Sequence, residues 1–244
     1  MEIAIPLFDR FTALDAVGPY QVLSALPGAR VRFLAAEEGP VRSDNRMLTM
    51  MAEGRWEDSP RPDVLVFPGG KGTRALLDDE RLLAWVRSVH ETTRYTTSVC
   101  TGSLVLAAAG ILEGVDATTH WMNMDALRSL GAEPTSERVV ERGKVITAAG
   151  VSAGIDMALR LAELIAGPVT AQAIQLAIEY DPQPPFDSGS PEKAPAEVVD
   201  LVRGVAAAME SPVDVSSERD RAPARSDPDL ERRVDPLKRL KRTF

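Results

Sequence analysis

The chain is poor in the residues that build metal centres and disulfides. Its 244 residues include one cysteine, Cys100, and two histidines, His90 and His120. A lone cysteine closes no internal disulfide, which suits a reducing cytoplasm, and so few ligands argue against a zinc site. Long apolar runs are also missing. No stretch approaches the ~18 residues that would mark a membrane-spanning helix, and the opening MEIAIPLFDR carries charges where a signal peptide would be apolar. The formal net charge is −8, without the clustered Lys and Arg that general nucleic-acid binding needs. These absences predict a cytoplasmic chain with no membrane or nucleic-acid partner, acting on a small molecule. Apolar residues make up 44% of the sequence, enough at this length for one α/β domain with a full core.

Short β-rich runs alternate with helical patterns along most of that length. EIAIPLF (2–8), VRFLAAE (31–37), DVLVFPGG (63–70) and YTTSV (95–99) read as strands. Helical spacing of apolar residues marks 15–26, 78–90, 101–109, 122–130, 152–166, 168–180 and 196–209. ATTH (117–120) reads as a short strand, and RVVERGKVITA (138–148) as a strand pair turning at Arg142-Gly143. Alternation of this kind predicts parallel pairing through right-handed crossovers, hence a doubly wound, mostly parallel sheet with helices on both faces. Residues 1–210 are expected to form that single domain, with a proline-rich loop at 181–195. From Ser211 onward the composition turns charged and mixed in sign, and predicts a tail that does not fold by itself.

The lone thiol falls at a junction, YTTSVCTGSLVLAAAG, where a strand runs into a helix. In a doubly wound sheet, ligands bind beyond the carboxyl ends of the strands. A turn of this type resembles a nucleophile elbow in its mechanics, although no G-x-S-x-G occurs. It is expected to expose the sulfur, and the helix start after it to favour the thiolate. A buried structural cysteine also fits the position. DVLVFPGG ends at the same sheet edge, and its Gly69-Gly70 allows close backbone approach. The N–H groups of Gly70 and Thr101 are candidates for holding developing negative charge; a plain glycine turn is the alternative. GGKGT lacks the spacing of a phosphate loop.

Asp15, in FTALDAVGPY, is placed either to cap a helix or to stand beside the thiol as a neutral carboxyl that passes a proton to substrate. An ionised Asp15 would repel the thiolate, so the neutral acid is the productive form. His120, in ATTHW, is either a packed histidine or a partner for the thiol. Thr101, not a histidine, follows the cysteine, which weighs against amide or peptide hydrolysis.

LDAVGPYQVL, VFPGG, SVCTGSLVLAAAGIL, ATTHW, VSAGIDMALRLAE and EYDPQPPFDSGSP together resemble the ThiJ/PfpI superfamily. The Cys-Thr pair, the Asp of LDAVGP and the EYDPQPPF segment resemble its isonitrile hydratase branch. That resemblance covers residues from about 2 to 210 and implies a flavodoxin-like fold, a homodimer and no cofactor. It implies Cys100 as nucleophile, assisted by Asp15 and Thr101, in hydration of an isonitrile to an N-substituted formamide through a covalent thioimidate. Two other activities fit the same residues: a thiol-dependent enzyme acting on glyoxals or glycated or peroxidised substrates, and a non-catalytic redox or small-molecule sensor. In the superfamily's transcription regulators the domain is fused to a helix-turn-helix; here a short polar tail follows instead.

Overall fold

A computed structural model describes residues 1–210; the tail expected from Ser211 lies outside the described residues. The chain divides into two compact units, Met1–Pro182 and a second beginning at Gln183.

In the first unit, β1 (Glu2–Pro6) leads into α1 (Ala13–Leu23), and β2 (Arg30–Leu34) follows. A hairpin of β3 (Gly39–Arg42) and β4 (Thr49–Ala52) comes next, then β5 (Val64–Phe67), α2 (Glu80–Thr92), β6 (Tyr95–Val99) and α3 (Gly102–Ala108). Two-residue strands β7 (Asp116–Ala117) and β8 (Glu133–Pro134) flank α4 (Met124–Ser129). The unit closes with β9 (Val139–Arg142), β10 (Val145–Ala148), α5 (Ala153–Ala166) and α6 (Pro168–Ala177). In the second unit, α7 runs from Ala196 to Glu210.

Six strands form the central sheet in the order β2-β1-β5-β6-β10-β9. Every pair is parallel except β9–β10 at one edge. The register sets Ile3 opposite Val31 and Val64, Phe67 opposite Ser98, and Ala148 opposite Val99. This is the doubly wound sheet that the alternation predicts, and the flavodoxin-like fold that the resemblance implies. Strands covered on both faces read as continuous apolar runs: VLVF of β5 and VITA of β10 are buried throughout.

β6 is the exception, because YTTSV buries three hydroxyls. Thr97 Oγ1 donates to Leu65 O at 3.0 Å, and Thr96 Oγ1 meets Thr93 Oγ1 and His90 Nδ1. The helices cover the sheet by apolar stripes. α2 starts where Asp79 accepts from Leu82 N–H and buries Leu82, Leu83, Trp85, Val86 and Val89. α5 approaches β6 closely because Gly154 has no side chain; a Cβ there would sit 3.0 Å from both methyls of Val99.

Two segments depart from the sequence reading. Thr118, Thr119 and His120, expected in a strand, are irregular; only Asp116–Ala117 pairs, in parallel with Glu133–Pro134. Their polar groups are drawn elsewhere: Thr118 N–H donates to Thr147 Oγ1 and Thr119 Oγ1 to Cys100 O. The β3–β4 hairpin has no counterpart in the sequence reading, since its strands are four residues long and only Val41, Met50 and Ala52 turn inward, between exposed Pro40, Arg42, Thr49 and Met51.

The chain order reverses between β1 and β5, since β2 lies on one side of β1 and β5 on the other. The segments that leave the carboxyl ends of β1, β5, β6 and β10 meet above this crevice, where open α/β sheets bind their ligands.

Candidate active site

Asp15 sits in the first turn of α1 and is wholly buried. The end of β5 reaches it directly: Gly69 N–H donates to Asp15 Oδ2 at 2.9 Å. Its other oxygen, Oδ1, is buried without a hydrogen-bond partner. Burial is the largest influence on this carboxyl and pushes its pKa up from 3.8 to about 7. The Gly69 N–H and the Cys100 thiol pull the other way, and the charge of Asp44 adds to the rise. The thiol thus acts as a polar neighbour of the carboxyl without forming an oriented bond to Oδ1.

Cys100 occupies the turn between β6 and α3 at φ +55°, a left-handed conformation that costs a non-glycine residue about 1–3 kcal/mol. Its backbone is held on both sides. The N–H is shared between Ala148 O at 3.0 Å and Ala149 O at 3.1 Å. The carbonyl accepts from Thr119 Oγ1 at 3.0 Å and from Ser103 Oγ at 3.1 Å.

The sulfur is not exposed as expected: Cys100 is only 5% accessible. Nor is the thiol acidified. Burial pushes its pKa well above the usual thiol range, and the Asp15 charge pushes it further. The N–H groups of Thr101 and Val151 and the Thr101 hydroxyl oppose that rise, but a helix of seven residues cannot outweigh desolvation.

Thr101 joins the two strand ends. Gly70 N–H donates to Thr101 Oγ1 at 2.9 Å, and that hydroxyl faces Gly70 O at 3.3 Å. The Gly70 N–H expected to face a ligand is therefore engaged, and the Thr101 N–H is directed at the thiol. Gly69 fills a space that admits no side chain. A Cβ there would lie 2.6 Å from Thr101 N, 2.7 Å from Thr101 Oγ1 and 2.9 Å from Asp15 Oδ2. Gly70, at φ +145°, is as confined, with a Cβ meeting Arg10 O at 2.5 Å.

Five of the six residues singled out in the sequence thus form one contiguous set: Asp15, Gly69, Gly70, Cys100 and Thr101. His120 packs on Gly150, which lies between the two residues whose backbone meets Cys100, Ala149 and Val151. Its Nδ1 accepts from Met122 N–H at 3.4 Å, and burial lowers its pKa, so it is neutral.

Two contributors were missed. Val151, at φ +35° in the turn before α5, presents its N–H to the thiol. Thr119 holds the Cys100 carbonyl. The neighbour of His120 in ATTH thus reaches the cysteine turn, and no spacing marks it. Among the described residues no group of three or more His, Cys, Asp and Glu converges to hold a metal ion.

Fold and site together define a flavodoxin-like α/β protein with a buried cysteine at a strained strand-to-helix turn and a carboxyl of raised pKa beside it. The DJ-1/PfpI family model matches residues 1–164, and the chain belongs to that family. It is 48% identical over 207 residues to the isonitrile hydratase of Pseudomonas putida, covering 85% of this chain and 90% of that protein. A ThiJ/PfpI family protein of known structure from Pseudomonas syringae superposes with a TM-score of 0.81 at 39% identity, covering 84% of this chain and 86% of that one. The transcriptional regulator CdhR of Pseudomonas aeruginosa is 32% identical over 186 residues, which span 74% of this chain and 53% of the regulator.

Proposed function

We propose that this chain is an isonitrile hydratase, converting R–N≡C and water to R–NH–CHO. The observation that carries the reading is the pairing of the Cys100 thiol with a carboxyl that holds its proton to about pH 7. The 48% identity to the Pseudomonas putida hydratase along most of both chains supports it. An isonitrile carbon bears a lone pair and must gain a proton as a nucleophile adds. Asp15, neutral, gives its proton to that carbon while Cys100 Sγ forms the C–S bond. The thiol proton passes to the vacated carboxylate, where Oδ1 has no other partner. The product is a thioimidate, R–N=CH–S–Cys100.

Water then adds across the C=N bond to give R–NH–CH(OH)–S–Cys100. Collapse of this adduct expels the thiol and releases the formamide. Atoms balance without an oxidant, a reductant or a cofactor. No free thiolate accumulates, which suits a buried sulfur whose ionisation is disfavoured. Thr101 fixes the end of β5 through its hydroxyl and supports the sulfur through its N–H during attack.

Ligand sensing is the second reading, favoured by the 32% identity to CdhR. A peroxide sensor is not favoured, because such cysteines are accessible and of low pKa, and Cys100 is neither. The test is formamide production from cyclohexyl isocyanide, with methylglyoxal as the competing substrate. Turnover of the isocyanide alone is expected. Turnover of methylglyoxal alone reassigns the enzyme to glyoxal chemistry, and inactivity on both favours a sensor.

A further inference from the structure

The segments around Asp15 include one that neither the reaction above nor the sequence motifs involve. The loop joining β3 to β4 is stitched to the entry of α1: Asp44 N–H donates to Phe11 O at 2.9 Å, and Phe11 bridges to both Ser43 and Gly70. The Asp44 side chain completes the join. Its Oδ2 accepts the Thr12 hydroxyl at 2.9 Å, and its Oδ1 accepts Asn45 N–H at 2.8 Å. Thr12 is the residue at which α1 begins; its N–H is held by Gly69 O at 2.8 Å and its carbonyl accepts from Asp15 N–H at 3.1 Å. One threonine therefore connects a second carboxylate to the turn of helix that carries the acid.

The electrostatic problem at this turn is specific. Asp15 lies in the first turn of an eleven-residue helix, where the helix dipole favours an ionised carboxylate. The proposed chemistry needs the opposite, a carboxyl that keeps its proton. An anion seated on the N-cap residue takes up the positive end of the dipole and repels a second anion in the first turn. We propose that Asp44 is a positioning residue for the acid: held on the Thr12 hydroxyl, its negative charge adds to burial in keeping Asp15 in the proton-donating form.

The other charges nearby do not supply this effect. Asp9 and Arg46 pair with each other at the surface, Arg10 is exposed, and Lys71 and Arg74 are exposed on the turn after Gly70. Asp156, on α5 packed against α1, is bonded by Arg138 and Tyr180. Cys100, the remaining titratable neighbour, is neutral and lowers the Asp15 pKa as a hydrogen-bonding group. Asp44 is the charged group that raises it.

The inference rests on Asp15 serving as an acid, so the experiment reads Asp15 directly. Full-length protein labelled with ¹³C at the aspartate carboxyls is titrated by NMR, with the Asp15 signal assigned by its loss in Asp15→Asn. In Asp44→Asn, which keeps an acceptor for the Thr12 hydroxyl and is checked by thermal melting, the Asp15 midpoint falls below that of wild type. The gap narrows at high ionic strength, as a charge effect does and a packing effect does not. Thr12→Val, which frees Asp44 from the helix without removing its charge, lowers the midpoint as well. A midpoint that stays or rises in Asp44→Asn overturns the proposal, and an unshifted Thr12→Val overturns the role of the tether. Isonitrile turnover is followed in parallel, and its alkaline limb moves to lower pH in Asp44→Asn. If the midpoint shifts but wild type does not hydrate isonitriles, the Asp44 role stands and the hydratase reading falls. If wild type hydrates isonitriles and the midpoint is unmoved, the reverse holds.

Discussion

Asp15 gives one carboxylate oxygen to the Gly69 N–H at 2.9 Å and keeps the other buried and unpartnered. A wholly buried carboxyl with one unmet oxygen is a stability liability above its pKa. The pKa rises from 3.8 to about 7 on folding, so the folded chain holds a proton that the unfolded chain releases. Asp15 therefore contributes its full stabilisation below about pH 4, and that contribution is lost as pH rises through 7. Over the whole window the change is roughly 4 kcal/mol. Asn cannot ionise, so Asp15→Asn gains stability relative to wild type between pH 5 and pH 8. Urea unfolding of both proteins at the two pH values checks this; a pH-independent difference would mean that Asp15 titrates normally.

The same substitution separates capping from chemistry. Asn caps a helix as well as Asp does, and it still accepts the Gly69 N–H, but it has no acidic proton to give. Loss of general acid catalysis costs about 10²–10⁴-fold. Asp15→Asn therefore folds and loses at least about a hundredfold in formamide production. Wild-type turnover falls as pH rises through about 7, where Asp15 gives up its proton. Near-normal turnover in Asp15→Asn would leave the residue a structural role alone.

Cys100 carries the reverse expectation for simple reactivity. Its thiol is held neutral first by burial and then by the Asp15 charge, and Asp15→Asn removes the second of these. At pH 8 the variant's thiol reacts faster with iodoacetamide than wild type's, although the variant turns over more slowly. Cys100→Ser abolishes turnover, because a hydroxyl is a far weaker nucleophile than a thiol at neutral pH, and Cys100→Ala abolishes covalent trapping of substrate. Equal alkylation rates in Asp15→Asn and wild type would show that the two side chains do not share a field. Substantial activity in Cys100→Ala would end the nucleophile assignment.

Gly69 tests the geometry without replacing a titratable group. A methyl there meets Thr101 N, Thr101 Oγ1 and Asp15 Oδ2 within 2.9 Å, so at least one must move. Displacement of a reacting group by about 1 Å costs on the order of a hundredfold. Gly69→Ala is expected to lose turnover on that scale, with a shifted pH profile if Asp15 is the group that moves. Wild-type kinetics in this variant would mean that the site yields without cost.

How much of this was legible depends on what carries each function. VLVF and VITA could be read as strands because both faces of a parallel sheet are buried. Asp15, Gly69, Gly70, Cys100 and Thr101 stood out because they follow strand ends, where such sheets place their chemistry. The state of the thiol was not legible. A turn before a helix argues for an exposed, acidified sulfur, whereas the fold buries it and surrounds it with β6, β10 and Asp15. Val151 was hidden because it acts through a backbone N–H, which any residue but proline supplies. The β3–β4 hairpin was hidden because its strands are four residues long, too short for the inward Val41, Met50 and Ala52 to stand out as an alternation. Asp44, two residues past its first strand, was hidden with it.

Thr119 supplies the remaining test, of the strain at Cys100. The cysteine's φ of +55° is unfavourable for a non-glycine residue, and such conformations persist where their surroundings over-determine them. The hydroxyls of Thr119 and Ser103 hold the carbonyl from two sides. Thr119→Val keeps the side-chain shape and removes one of them, at a cost of about 1 kcal/mol in stability. The second hydroxyl still satisfies the carbonyl, so the fold survives while the turn loosens. A loosened nucleophile lowers kcat more than it changes KM, because binding outside the turn is untouched. The pair Thr119→Val and Ser103→Ala should be non-additive in kcat, since either hydroxyl alone restrains the same atom. Additive losses, or a change confined to KM, would mean that Thr119 supports the 118–120 segment rather than the cysteine turn.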